Sequence, residues 1–205
     1  MTGIIDYGVG NLFSLRSSFA FIGEHAIVSG SRAELSACDR ILLPGVGAFA
    51  DAARKLRESG LDDFVRETAS SGKPLLGICL GMQLLFDRSF EFGEYKGLGL
   101  LQGNIVPIPN PDQKLKIPQI GWNALHFPAH KPKSPLFRDV HEGDCVYFVH
   151  SFYAADCADS VSATTEYGAE LTAAAEKGNV FGTQFHPEKS GKVGLSILRA
   201  FCALE

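Results

Sequence analysis

The sequence contains no apolar run approaching the ~20 residues that a membrane-spanning helix needs. A basic patch of the kind that grips nucleic acid or an anionic surface is also missing, with net charge −4 and a pI near 5.9. The opening residues, MTGIIDYGVG, carry neither a basic segment nor a long hydrophobic one, so no secretory signal is expected. The cysteines (Cys38, Cys79, Cys145, Cys157 and Cys202) are odd in number and lack the paired spacing of a zinc site. That usage fits a reducing cytoplasm, and no metal or other cofactor is expected. There is no G-x-x-x-x-G-K-[ST] phosphate loop, internal repeat or low-complexity tract.

What is present is an ordinary globular composition, 45% hydrophobic and 20% charged over 205 residues. It suits a single domain, 1–205, with a substantial core. The first half alternates. Strand-like stretches at 3–7, 26–28, 40–43 and 74–78 are separated by helical patterns at 11–22, 48–58 and 61–70. Leu12, Leu15, Phe19 and Ile22 mark one face of the first helix. Such alternation builds βαβ units around a mostly parallel sheet. The second half is richer in strands, at 104–108, 122–127, 145–153, 162–166 and 180–185, before a last helix at 190–203. The segment 107–118, with four prolines, is expected to be a loop. The expected fold is therefore α/β: a mostly parallel central sheet flanked by helices, with an additional mixed or antiparallel strand region.

One cysteine stands apart. In KPLLGICLGMQLLF, residues 73–86, Cys79 falls where a buried strand gives way to a helix, bracketed by Gly77 and Gly81. A small buried thiol is the commoner fate of cysteine. The glycines argue otherwise, because a nucleophile held on a sharp strand-to-helix turn needs neighbours without side chains two residues away on either side. This is the cysteine form of the G-x-S-x-G elbow. The N–H of Leu80, at the start of the helix, is then placed to stabilise an oxyanion beside the sulfur. The remaining cysteines lack glycine brackets and are expected to be structural.

A nucleophile needs a base. Of the histidines at 25, 126, 130, 141, 150 and 186, only His186 ends a β-rich run, in NVFGTQFHPEKSG. In a parallel sheet functional side chains gather at the carboxyl ends of strands. Glu188 is placed to hold one imidazole nitrogen and leave the other for the thiol. Gly45-Val46-Gly47 follows the strand at 40–43. It reads as a tight turn whose backbone can also aim an N–H from Val46–Gly47 at the oxyanion.

Taken together, GICLGMQ, PGVG and QFHPEKS resemble the class I, triad-type glutamine amidotransferases. IIDYGVGNLFSL, IGWN and YFVHS narrow the resemblance to the glutaminase subunits of imidazole glycerol phosphate synthase. The resemblance implies hydrolysis of glutamine by Cys79, His186 and Glu188, with Val46, Gly47 and Leu80 as the oxyanion hole. It further implies substrate contacts from Gln83, Glu91, Ser151 and Phe152, with Glu91 pairing the substrate ammonium. The implied partner is a separate cyclase subunit, a βα barrel, in a heterodimer, met through Asn11, Trp122, Asn123, Tyr147 and Lys189. No nucleic-acid or membrane partner is implied. The chain departs from the usual pattern at Gln119, where a histidine is customary, and at Phe90 and Phe152. A glutaminase for another synthase, such as anthranilate synthase, or a non-catalytic module on the same fold, are the alternatives.

Overall fold

A computed structural model describes residues 1–110 and 112–204; Pro111, within the expected proline-rich loop, and Glu205 lie outside the described residues. The strands of the first half are β1 (Thr2–Ile5), β2 (Ala26–Ser29), β3 (Arg40–Leu43) and β4 (Leu75–Ile78). Between them run α1 (Leu12–Phe21), the short α2 (Arg32–Ser36), α3 (Phe49–Glu58) and α4 (Leu61–Ser70). After β4 come α5 (Leu80–Leu85), β5 (Phe86–Ser89), β6 (Tyr95–Lys96) and β7 (Leu101–Pro107). The rest of the chain forms β8 (Gln119–Ala124), β9 (Cys145–His150), β10 (Phe152–Ala155), β11 (Val161–Glu166), β12 (Glu170–Lys177), β13 (Val180–Thr183) and α6 (Gly191–Cys202).

The main sheet has the order β11-β12-β13-β4-β3-β1-β2. Every pairing from β13 to β2 is parallel, and β12 joins antiparallel to both β11 and β13. Successive residues of the central strands enter opposite cores. Ile5, Ile41, Leu43 and Leu75 pack with α3, α4 and α5, whereas Ile4, Leu42, Leu76 and Ile78 pack with α1, α6 and β9. A sheet buried on both faces reads as unbroken apolar runs, which is why these strands are visible in the sequence. A smaller sheet, β10-β7-β5-β6, and the antiparallel pair β8-β9 make up the additional strand region.

Several boundaries differ from expectation. The stretch at 145–153 breaks at Ser151 into β9 and β10, which join different sheets. The strand expected at 122–127 starts earlier, because Gln119 pairs with His150. Helix α5 stops at Leu85, since the returning chain captures its last carbonyls through Leu98 N–H to Leu84 O and Leu100 N–H to Leu85 O, both 2.8 Å. ELTAAAEK, an alanine-rich run with helical preference, is instead strand β12, buried between two β partners. Cys38, Cys157 and Cys202 are buried as expected of structural thiols. Cys145 is exposed, because it opens β9 at the outer end of the β8–β9 pair.

Candidate active site

Strand β4 runs directly into the elbow, and β13 ends beside it, with Thr183 opposite Ile78 in parallel register. The Cys79 N–H donates to Thr183 O at 2.7 Å, so the two chain segments leave the sheet side by side. Cys79 then adopts φ 55°, ψ −113°. For a residue with a Cβ this backbone costs on the order of 1–3 kcal/mol and persists only where the surroundings enforce it.

The surroundings do so through close backbone contacts. A Cβ on Gly77 would sit 2.7 Å from Gly81 O and Met82 N, and one on Gly81 would sit 2.0 Å from Leu43 O. Gly77 therefore lets α5 fold back over β4, whereas Gly81 lets α5 press on the end of β3. Gly45 belongs to the same contact, because its Cβ would lie 2.6 Å from Gly81 N. Of the two glycines in the 45–47 turn only Gly47 has positive φ, +90°, with open space around it. Conformational freedom in this turn thus resides at Gly47, and Gly45 is a packing glycine.

His186 sits three residues beyond β13, its N–H donating to Tyr147 O of β9 at 3.0 Å. The turn is latched again through Ser190, whose hydroxyl donates to His186 O at 2.6 Å and accepts the Tyr147 N–H at 3.0 Å. The imidazole Nδ1 lies 2.8 Å from Glu188 Oε1. Burial opposes a positive charge on His186, but hydrogen bonds to the Cys79 sulfur and to Glu188 outweigh it and raise its pKa to about 9. The shift favours the protonated ring, the form able to return a proton to a leaving amine.

A cavity of about 280 Å³ opens in front of this group. Val46, Gly47, Leu80, Gln83, Glu91, Ser151 and Phe152, all singled out in the sequence, line it together with Cys79 and His186. Gln83 spends both amide hydrogens, on Phe152 O at 3.0 Å and Gln184 Oε1 at 2.9 Å. Its remaining hydrogen-bonding atom is its carbonyl oxygen, an acceptor. One Glu91 oxygen accepts the N–H of Phe49 at 2.5 Å at the start of α3. The other oxygen has no such partner among the described residues and faces a cavity that could take a cationic group.

Two further polar residues adjoin the site. Gln184, wholly buried, donates through Nε2 to Cys79 Sγ at 3.8 Å. It precedes His186 by two residues, just past the end of β13, and that spacing is its only signal. His150 also lines the cavity, its Nδ1–H donating to Phe152 O at 2.8 Å.

The residues that the resemblance assigns to a partner surface fall into two groups. Trp122, 54% exposed, packs edge-on against Tyr147 at 6.0 Å, and Lys189 Nζ lies 5.9 Å over the Tyr147 ring. Asn11 and Asn123 have internal partners: Asn11 caps α1 by accepting the Ser14 N–H at 3.4 Å, and Asn123 Nδ2 donates to Glu166 O at 3.2 Å.

A parallel sheet with this elbow and this histidine–carboxylate pair at neighbouring strand ends defines a class. The family described as glutamine amidotransferase class-I matches residues 4–203, and the chain belongs to it. Among curated relatives, the imidazole glycerol phosphate synthase subunit HisH of Geobacillus thermodenitrificans (strain NG80-2) is 50% identical over 208 residues, covering 100% of this chain and 96% of that one. The subunit of the same name from Wolinella succinogenes is 48% identical over 207 residues, with 100% of each chain covered. The chain is a member of this HisH family. Two solved structures share the fold: a glutamine amidotransferase, TM-score 0.75 at 18% identity over 98% of this chain and 99% of that one, and PurLQS from Thermotoga maritima, TM-score 0.75 at 22% identity over 98% and 96%. Among the described residues no helix is long and apolar enough to cross a membrane.

Proposed function

We propose that this chain is the glutaminase subunit of an imidazole glycerol phosphate synthase, working in histidine biosynthesis as a single amidotransferase domain in the cytoplasm. Cys79 attacks the side-chain amide of glutamine, and the tetrahedral oxyanion is held by N–H groups of Leu80 and the Val46–Gly47 turn. His186 passes a proton to the departing nitrogen while Glu188 fixes its orientation. Ammonia leaves, and water attacks the thioester to release glutamate. Gln83, Glu91, Ser151 and the backbone of Phe152 hold the amino-acid end of the substrate.

The ammonia passes to a cyclase subunit, a βα barrel, docked on the Trp122–Tyr147–Lys189 surface. That subunit makes imidazole glycerol phosphate and aminoimidazole carboxamide ribotide. No nucleic-acid or membrane partner is proposed. The observation that carries this reading is the meeting of Cys79 with the His186–Glu188 pair at the adjacent ends of β4 and β13. The test compares glutamine with added ammonia as nitrogen source for the complex. Cys79→Ala is expected to abolish synthesis from glutamine and spare synthesis from ammonia. Equal glutamine turnover in wild type and variant would overturn the assignment.

A further inference from the structure

Strands β8 and β9 pair antiparallel with Gln119 directly opposite His150, and both side chains lie on the face turned toward the core. Their neighbours on that face are Gly121 opposite Phe148 and Asn123 opposite Val146, whereas Trp122 and Tyr147 take the outer face. Gln119 is fully buried and His150 is 6% exposed. Directly opposed residues of an antiparallel pair place their Cβ atoms about 4.5–5.5 Å apart.

The hydrogen-bond polarity of each side chain is fixed by a backbone carbonyl. Phe152 O can only accept, so His150 carries its proton on Nδ1 and presents Nε2 as a bare acceptor. At the other end Glu166 O can only accept, so Asn123 donates to it through Nδ2 and keeps its oxygen for the Gln119 Nε2 donor, 2.9 Å away. Gln119 is thereby left with Oε1 outward. Neither Gln119 Oε1 nor His150 Nε2 has a protein donor among the described residues, and both atoms are buried. A buried acceptor without a donor costs ~1–3 kcal/mol. Two of them from opposed residues call for a molecule small enough to be buried and able to donate two hydrogen bonds.

We propose that Gln119 Oε1 and His150 Nε2 form a binding site for such a small donor, filled by water at rest and taken by ammonia once it is released at Cys79. The second part rests on the glutaminase reading above. His150 belongs to the wall of the catalytic cavity, and Gln119 is bonded to Asn123, the neighbour of exposed Trp122. The pair thus joins a residue of the cavity wall to a strand that also carries the exposed Trp122. Neutral ammonia, with three N–H donors, fits two acceptors. Ammonium would bring a buried charge to two neutral side chains, with no carboxylate bonded to either of them. Burial lowers the His150 pKa to about 4, so its acceptor survives throughout the neutral range.

The test uses the full chain labelled with 15N in its histidines. In the wild type, the spectrum should show His150 protonated at Nδ1 and bare at Nε2. Ammonium chloride added at alkaline pH, where part of it is neutral ammonia, should move the Nε2 resonance saturably, while potassium chloride should not. Gln119→Met, of similar length but without the acceptor, should weaken that response about five- to tenfold, the effect of one lost hydrogen bond. In the complex with the cyclase, the same variant should lower the product formed per glutamine hydrolysed more than it lowers hydrolysis. An Nε2 resonance indifferent to ammonia means a water site only and overturns the proposal, as does the opposite tautomer or an unchanged coupling ratio. The titration uses added ammonia, so it stands or falls independently of whether the chain hydrolyses glutamine.

Discussion

His186 Nδ1 stands 2.8 Å from Glu188 Oε1, with the two side chains 3% and 1% exposed. In so little solvent the carboxylate acts on one partner, and its second oxygen, Oε2, finds no protein donor among the described residues. The charge of Glu188 is therefore directed at the imidazole, holding it protonated and in one orientation.

Removing that charge without changing shape is the sharpest test of the pair. Glu188→Gln is expected to lower kcat for glutamine hydrolysis by roughly 10- to 100-fold, and His186→Ala by about 100- to 10,000-fold, since the base moves protons and its orienter only positions it. Glu188 also helps raise the His186 pKa, so the alkaline limb of the activity profile should move to lower pH in Glu188→Gln. Equal rates in wild type and His186→Ala would transfer the proton role elsewhere, with His150 the nearest candidate in the cavity wall.

The strained backbone at Cys79 predicts opposite effects on activity and stability. Cys79→Ala and Cys79→Gly should both lose hydrolysis. Only glycine relaxes φ 55°, ψ −113°, so it should melt above the alanine variant by a few degrees. Equal melting temperatures would mean the elbow stores no strain. A cysteine-directed glutamine analogue should modify Cys79 first. A general alkylating reagent should also reach Cys145, the exposed thiol.

Much of this is legible in the sequence because it is local. The parallel strands announce themselves as short apolar runs, and the elbow as glycines two residues either side of Cys79. The roles of Gly45 and Gly81 are only half visible, since each is imposed by a strand or helix distant in the chain. Strand β12 is hidden because its alanines favour helix, and only the flanking β11 and β13 turn it into sheet. The polarity of Gln119 and His150 is invisible for a similar reason. It depends on the β8–β9 register and on the Glu166 carbonyl, 43 residues from the Asn123 it fixes, as well as on the nearby Phe152 carbonyl.

Two histidines shape stability in opposite pH ranges. His186 titrates at about 9 when folded and near the ordinary 6.5 when unfolded, so its stabilisation is complete below about 6.5 and fades as pH rises toward 9. His150 titrates at about 4 when folded. Between 6.5 and 4 the unfolded chain takes up a proton that the folded one refuses, and stability falls with falling pH. Melting temperature against pH should therefore show a gentler acid limb in His150→Phe than in the wild type. A parallel pair of acid limbs would place the acid sensitivity on other groups.

The turn at Val46–Gly47 is where activity should come under the control of a partner. Gly47 holds φ +90°, and a Cβ added there would meet no atom within 4 Å, so a peptide flip encounters little steric resistance. Gly81 is the contrasting case, with Leu43 O only 2.0 Å from where its Cβ would be. Gly81→Ala should therefore cost ~1–3 kcal/mol or more through overpacking and lower the melting temperature visibly. Gly47→Ala should stay folded and instead lose the stimulation of glutamine hydrolysis by the cyclase. Restoring one oxyanion donor is worth about 2.7–4 kcal/mol, or roughly 100- to 1000-fold in rate. Docking on Lys189 is well placed to deliver it, because Lys189 lines the same cavity as Val46 and Gly47. Hydrolysis is to be measured with and without the cyclase in wild type and Gly47→Ala. Full activity in the isolated wild-type chain would refute the switch, and undiminished stimulation of the variant would move it away from Gly47.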